Sequence, residues 1–111
     1  RRINKIVQFV EKNYHHKISL EDVGELVGMS ASSVSRFFKQ RTRHNFWDYL
    51  NGFRIDRAAQ MMIETEHTIS EISYACGFNN ISNFNRVFRE RIGTTPSDYR
   101  NKFKESIIPD R

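Results

Sequence analysis

The sequence predicts an all-α fold, and three observations carry that prediction. Apolar residues recur at helical spacing along most of the chain, strand-like alternation is scarce, and breakers are few. Only five Gly and two Pro occur in 111 residues, and both prolines lie late, at Pro96 and Pro109. With 38% hydrophobic and 28% charged residues, the chain reads as globular rather than disordered. No apolar run approaches the roughly 18 residues of a spanning helix, so a membrane role is not expected. The single cysteine excludes an internal disulfide framework and a multi-cysteine zinc site, and fits a reduced, cytoplasmic setting. The chain begins at Arg1 without Met and is expected to be a fragment.

The elements follow in order. Ile3, Ile6, Val7, Val10 and Tyr14 make the apolar stripe of a first helix. Ser19 and Asp22 form a capping box that opens a short helix, with Leu20, Val23, Leu26 and Val27 inward and Gly28 as its end. Ser30 caps the next, whose buried side is Val34, Phe37 and Phe38. A long helix from about Phe46 to Thr65 contains Gly52 at a cost of roughly 1 kcal/mol relative to Ala. Thr68 and Glu71 form a second capping box, before Ile69, Ile72, Ala75 and Cys76 and a stop at Gly77. Phe84, Val87, Phe88 and Ile92 mark a sixth helix ending near Gly93. Pro96 suits the first turn of a seventh, with Tyr99 and Phe103 facing in.

The chain also repeats itself. Leu20, Val23, Leu26, Val27 and Gly28 match Ile69, Ile72, Ala75, Cys76 and Gly77 at an offset of 49, which becomes 50 after one extra residue in the turn. Val34, Arg36, Phe38, Lys39 and Arg41 then match Phe84, Arg86, Phe88, Arg89 and Arg91. Each copy is a capped short helix, a Gly-containing turn and a second helix with Arg beside its apolar face. That is the layout of a helix-turn-helix, whose second helix enters the DNA major groove. The boundaries expected are 1–45 for the first subdomain, 46–65 for the linker helix, 66–105 for the second subdomain and 106–111 for a tail. A helix of about 20 residues is about 30 Å long, against about 34 Å between successive major grooves. A net charge of +5 and a pI near 9.7 permit a polyanionic partner.

These features together resemble the DNA-binding domain of the AraC/XylS bacterial transcription regulators. The match runs through Ser19 to Phe38, then Tyr49-Leu50, Arg54-Ile55 and Ala58-Ala59 on the linker helix. It is strongest at Ile69-Ser70-Glu71-Ile72, Cys76-Gly77-Phe78, Phe84, Arg86, Phe88, Arg89, Gly93, Thr95-Pro96 and Tyr99-Arg100. About residues 3 to 103 are covered. The resemblance implies seven helices, two helix-turn-helix subdomains joined by one long helix, and sequence-specific binding to double-stranded promoter DNA as a transcription factor, often an activator. It further implies contact with RNA polymerase and a separate N-terminal effector or dimerisation domain, which this chain does not contain. Two positions depart from the family pattern: Arg43 stands where Gly is common, and Gly52 where a longer polar residue is common.

In the first reading helix the outward stripe is Ser32, Ser35, Arg36 and Lys39, and the family's base-contact positions fall on Ser32, Ser35 and Arg36. Arg36 can bond bidentately to guanine O6 and N7, or else meet a phosphate or an acid. In the second, Asn80, Ile81, Ser82, Asn85 and Arg86 lie outward or at the leading end. Asn can pair with adenine and Ile81 can touch a thymine methyl; alternatively Ile81 packs on the Phe78 turn and Asn80 merely caps the helix. Phosphate contacts are expected from Lys39, Arg41, Arg43, Arg54, Arg89 and Arg100, with Arg57 and Arg91 in the wider pool. Arg54 and Arg57 have the alternative of pairing with Asp56 or Glu64. Phe9, Phe37, Phe38, Phe46, Trp47, Phe84, Phe88, Tyr99 and Phe103 fall at core spacing, and Cys76 reads as a small buried hydrophobe.

No enzyme, cofactor or metal is expected. The chain has no Gly-x-Ser-x-Gly elbow, no phosphate-binding Gly loop and no His-Glu-x-x-His pair, and its four histidines are not spaced as ligands. Two other readings stand beside the first: a helix-turn-helix module that binds protein, and a DNA binder without sequence preference. The first should lack cations on its reading helices, and the second should show steep salt dependence with no enriched site.

Overall fold

The computed structural model describes residues 1–107, with side chains through residue 104; the expected tail lies largely outside them. Among the described residues there are seven α-helices and no strand: α1 Arg2–Asn13, α2 Leu20–Val27, α3 Ala31–Thr42, α4 Phe46–Glu64, α5 Ile69–Ala75, α6 Ile81–Ile92 and α7 Pro96–Ile107. None is long and apolar enough to cross a membrane. The chain divides into two compact units, one to Phe53 and one from Arg54 onward, so each half of α4 belongs to a different unit.

In the first unit, α2 starts at a complete capping box. The Asp22 N–H donates to Ser19 Oγ at 3.0 Å and the Ser19 N–H to Asp22 Oδ2 at 3.2 Å, so Asp serves where Glu or Gln is usual. The helix stops at Gly28 in the left-handed region, φ +74°, and the Met29 N–H returns to the Gly24 carbonyl at 2.9 Å. Gly24 is buried, and a Cβ there would collide with the Met29 carbonyl oxygen. Ile6, Val10, Ile18, Val23, Val27, Val34, Phe38, Phe46 and Leu50 form the core of this unit. Phe38 stacks edge-on against Phe46 with centroids 5.4 Å apart.

The second unit starts α5 the same way: Glu71 N–H to Thr68 Oγ1 at 3.0 Å and Thr68 N–H to Glu71 Oε1 at 2.8 Å. Its buried residues include Ile55, Ala58 and Met62 of α4, Ile72, Cys76, Phe78, and Phe84 and Phe88 of α6. The rings of Phe78, Phe84, Phe88 and Tyr99 follow one another at 5.2–5.7 Å. Pro96 begins α7 as expected, where its missing N–H removes no helical bond.

Three residues expected inside are exposed. Leu26 is 41% exposed, Trp47 40%, and Ala75 also faces solvent. The cause is the same for the first two. Val23 and Val27 in α2, and Phe46 and Leu50 in α4, occupy the inner line at i, i+4, and a residue one position away is turned by about 100°. Leu26 therefore borders an open groove with Lys5, Gln8, Phe9, Lys12 and Asn13. Trp47 leans edge-on against Phe46 instead of sitting beneath it. Phe9, Phe37, Tyr99 and Phe103 are half-buried rather than fully enclosed.

Candidate nucleic-acid interface

Each unit presents a short helix, a turn and a second helix with a polar, cationic outer line. In the first unit α3 begins at Ser30, whose Oγ accepts the Ser33 N–H at 3.2 Å and donates to Ser33 Oγ at 2.9 Å. Ser32 Oγ is 3.4 Å from the same hydroxyl. Because i, i+4, i+7 positions share a face, Ser32, Arg36 and Lys39 line up, and all three are exposed. Ser35 is half-buried at the edge of that line. The side chains of Arg36 and Lys39 have no hydrogen-bond or ion-pair partner among the described residues. Arg41 is exposed, with its guanidinium 5.3 Å from the Phe37 ring centre. The helix carries Arg36, Lys39 and Arg41 and no acid.

The second unit repeats this arrangement fifty residues later. Asn80 caps α6 by accepting the Asn83 N–H on Oδ1 at 2.9 Å, which leaves its side-chain N–H groups as the available donors. Ser82, Arg86 and Arg89 make the exposed line, with exposed Asn85 beside it and half-buried Ile81 at the helix start. Arg86 differs from Arg36 in being held: Nη2 donates to Asn83 Oδ1 at 2.6 Å and Nη1 to the Glu90 carboxylate at 3.3 Å.

Two of the residues expected at phosphates are engaged within the second unit in this structure. Arg100 donates from Nε to the Met62 carbonyl at 3.0 Å, from Nη1 to His67 at 2.7 Å and from Nη2 to Thr65 at 3.1 Å. Its guanidinium satisfies the carbonyls at the end of α4 and in the following connection. Arg54 is only 9% exposed, within 6.0 Å of the Phe78 ring centre, and burial lowers its pKa. Lys39, Arg41, Arg43 and Arg89 all remain exposed.

The pairings open to Arg57 and Asp56 on α4 resolve differently. Arg57 bonds Gln60 at 2.9 Å, whereas Asp56 is taken by Arg91 of α6 through two bonds of 2.9 Å, which raise the Arg91 pKa. Sequence reasoning missed this pair because the residues are 35 positions apart. Arg86–Glu90 did carry a local signal, the i, i+4 spacing. Among the described residues no three His, Cys, Asp or Glu side chains gather as a metal site.

A family model described as "Helix-turn-helix domain" matches residues 23–102. An uncharacterized HTH-type transcriptional regulator of Staphylococcus aureus (strain COL) is 31% identical over 99 residues, covering 89% of this chain and 13% of its own length. The chain thus spans only a small part of that relative. A crystal structure of an AraC-type DNA-binding-domain transcriptional regulator from Chromobacterium violaceum is 29% identical with a TM-score of 0.83, covering 91% of this chain and 90% of that one. The DNA-binding domain of AdpA, solved with a target DNA, has the same fold with a TM-score of 0.90 at 20% identity and 96% coverage of both chains. With the repeat, the caps and the seven helices described above, the chain belongs to the AraC-type helix-turn-helix family.

Proposed function

We propose that this chain binds double-stranded promoter DNA sequence-specifically in bacterial transcription regulation, with α3 and α6 entering successive major grooves and reading one half-site each. The observation that carries the reading is the repeated outer line, Ser32, Arg36, Lys39 and Ser82, Arg86, Arg89, each beginning at a capped helix start. Arg36 and Arg86 are the base readers of first rank, assisted by Ser32 and Ser35 in one helix and by Asn80, Ile81, Ser82 and Asn85 in the other. Lys39, Arg41, Arg43 and Arg89 supply phosphate contacts, which set orientation and affinity rather than sequence. The family resemblance is what supports a separate effector-binding or dimerisation domain in the full protein, a cytoplasmic setting and RNA polymerase as a partner.

Selection of bound duplexes from a randomised pool, at roughly physiological salt where the Debye length is about 8 Å, tests the reading. Two enriched boxes about one helical turn apart are expected. Binding without enrichment, vanishing as salt rises, would leave backbone attraction only, and absence of binding would favour a protein-interaction module.

A further inference from the structure

The two reading arginines sit at equivalent places yet are held differently. Fifty residues before Asn83, Arg86 and Glu90 stand Ser33, Arg36 and Gln40. Ser33 is committed to the Ser30 cap, and Arg36 has no partner among the described residues. Arg86 instead spans from Asn83 Oδ1, at 2.6 Å on one terminal nitrogen, to the Glu90 carboxylate, at 3.3 Å on the other. We propose that Asn83 and Glu90 are positioning residues for Arg86, and that they make the second half-site more strictly read than the first. The proposal rests on the DNA-binding reading above.

The physical argument has two parts. An arginine side chain loses rotamer freedom when it docks on a base, and one already tethered at both terminal nitrogens loses less. Five donors are present on a guanidinium, so two anchors still leave donors for the O6 and N7 acceptors of a guanine. Tethering also narrows the set of edges the fork can reach, which penalises a displaced or wrong acceptor. Glu90 contributes a second effect of opposite sign, since its carboxylate beside the DNA repels phosphates. Specificity and overall affinity should therefore move in opposite directions when Glu90 changes, a signature that neither a simple phosphate contact nor a structural residue gives.

The test uses this chain with Glu90→Gln, which installs the residue that the first unit carries, and the reciprocal Gln40→Glu. The probes are the enriched duplex from the selection above, a panel varying each base pair singly, and one unrelated duplex. Arg86→Ala and Arg36→Ala locate the base pair that each arginine reads. Expected for Glu90→Gln is a loss of about two- to fivefold in preference at the Arg86 base pair, the range of an exposed ion pair, with about twofold tighter binding to the unrelated duplex. Gln40→Glu should sharpen preference at the Arg36 base pair and weaken binding to the unrelated duplex. Glu90→Gln that tightens every duplex alike, with preference intact, overturns the inference while leaving the DNA-binding reading in place. Arg86→Ala without effect on any base pair also overturns the inference and leaves DNA binding in place, whereas no enriched duplex for the unmodified chain overturns both.

Discussion

Arg43 and Gly93 close the two reading helices at equivalent places in the repeat, and both adopt the left-handed conformation, at φ +67° and +96°. Their N–H groups make the same bond, to Lys39 and Arg89 carbonyls, each at 2.8 Å. Arg43 is the one non-glycine with positive φ among the described residues. Glycine adopts that region without penalty, whereas a side chain there is strained by about 1 kcal/mol or more. Arg43→Gly should therefore be more stable than Arg43→Ala by about 1 kcal/mol in denaturant unfolding, since both lose the charge and only one keeps the strain. Equal stabilities would remove strain from the account of this turn.

Arg100 should prove to be a structural residue. Its three bonds reach main-chain carbonyls of Met62, Thr65 and His67, and a lysine point charge cannot span that fan. Arg100→Ala is expected to destabilise by about 2–3 kcal/mol, and Arg100→Lys to recover less than half of that. The result to watch is the salt slope of DNA binding measured on folded protein: it should stay unchanged. A slope reduced by about 0.9 would return Arg100 to the phosphate contacts.

Gly24 and its repeat partner Ser73 are both buried beside a turn, but only the second tolerates a side chain. The turn after Ser73 has one residue more, and the Ser73 hydroxyl donates to the Ser70 carbonyl at 3.0 Å. Gly24→Ala drives a methyl into the Met29 carbonyl oxygen and should cost about 2–3 kcal/mol. Ser73→Ala forfeits one hydrogen bond and should cost about 1 kcal/mol or less. Thermal melting of the two variants should separate them clearly.

Acid should weaken the α5 start. The Glu71 carboxyl is held below its ordinary value near 4.5, chiefly by the Thr68 backbone N–H. A lowered folded-state pKa stabilises above the unfolded value and loses that contribution as pH falls through the folded one. Glu71→Gln should melt below the parent at pH 7, and the gap should shrink progressively below about pH 4.5. A gap independent of pH would mean that the carboxylate charge contributes nothing at this cap.

What was legible in the sequence was whatever depends on near neighbours. Ser19–Asp22, Thr68–Glu71, Ser30 and Pro96 mark helix starts because capping acts over three residues, and the repeat exposes Arg36 and Arg86 as equivalents. What escaped depends on what lies opposite. Leu26 and Trp47 are apolar residues turned about 100° from the inner lines of Val23–Val27 and Phe46–Leu50, and spacing alone does not say which line is buried. Arg54, Arg89 and Arg100 share one chemistry, and only packing tells that one is sunk beside Phe78, one exposed and one bonded to carbonyls.

Cys76 offers a last check on the packing of the second unit. The side chain is fully buried, with Sγ 3.7 Å from Met61 Sδ, and burial pushes its pKa up to about 11. The thiolate is the reactive form, so at pH 8 the folded protein presents almost none of it, and what forms is enclosed. Labelling by a thiol reagent should be slow in buffer and should rise in step with unfolding across a denaturant series, because exposure requires opening of the α5–α6 core. Fast labelling of the native chain would mean that this core opens locally, far below the global transition.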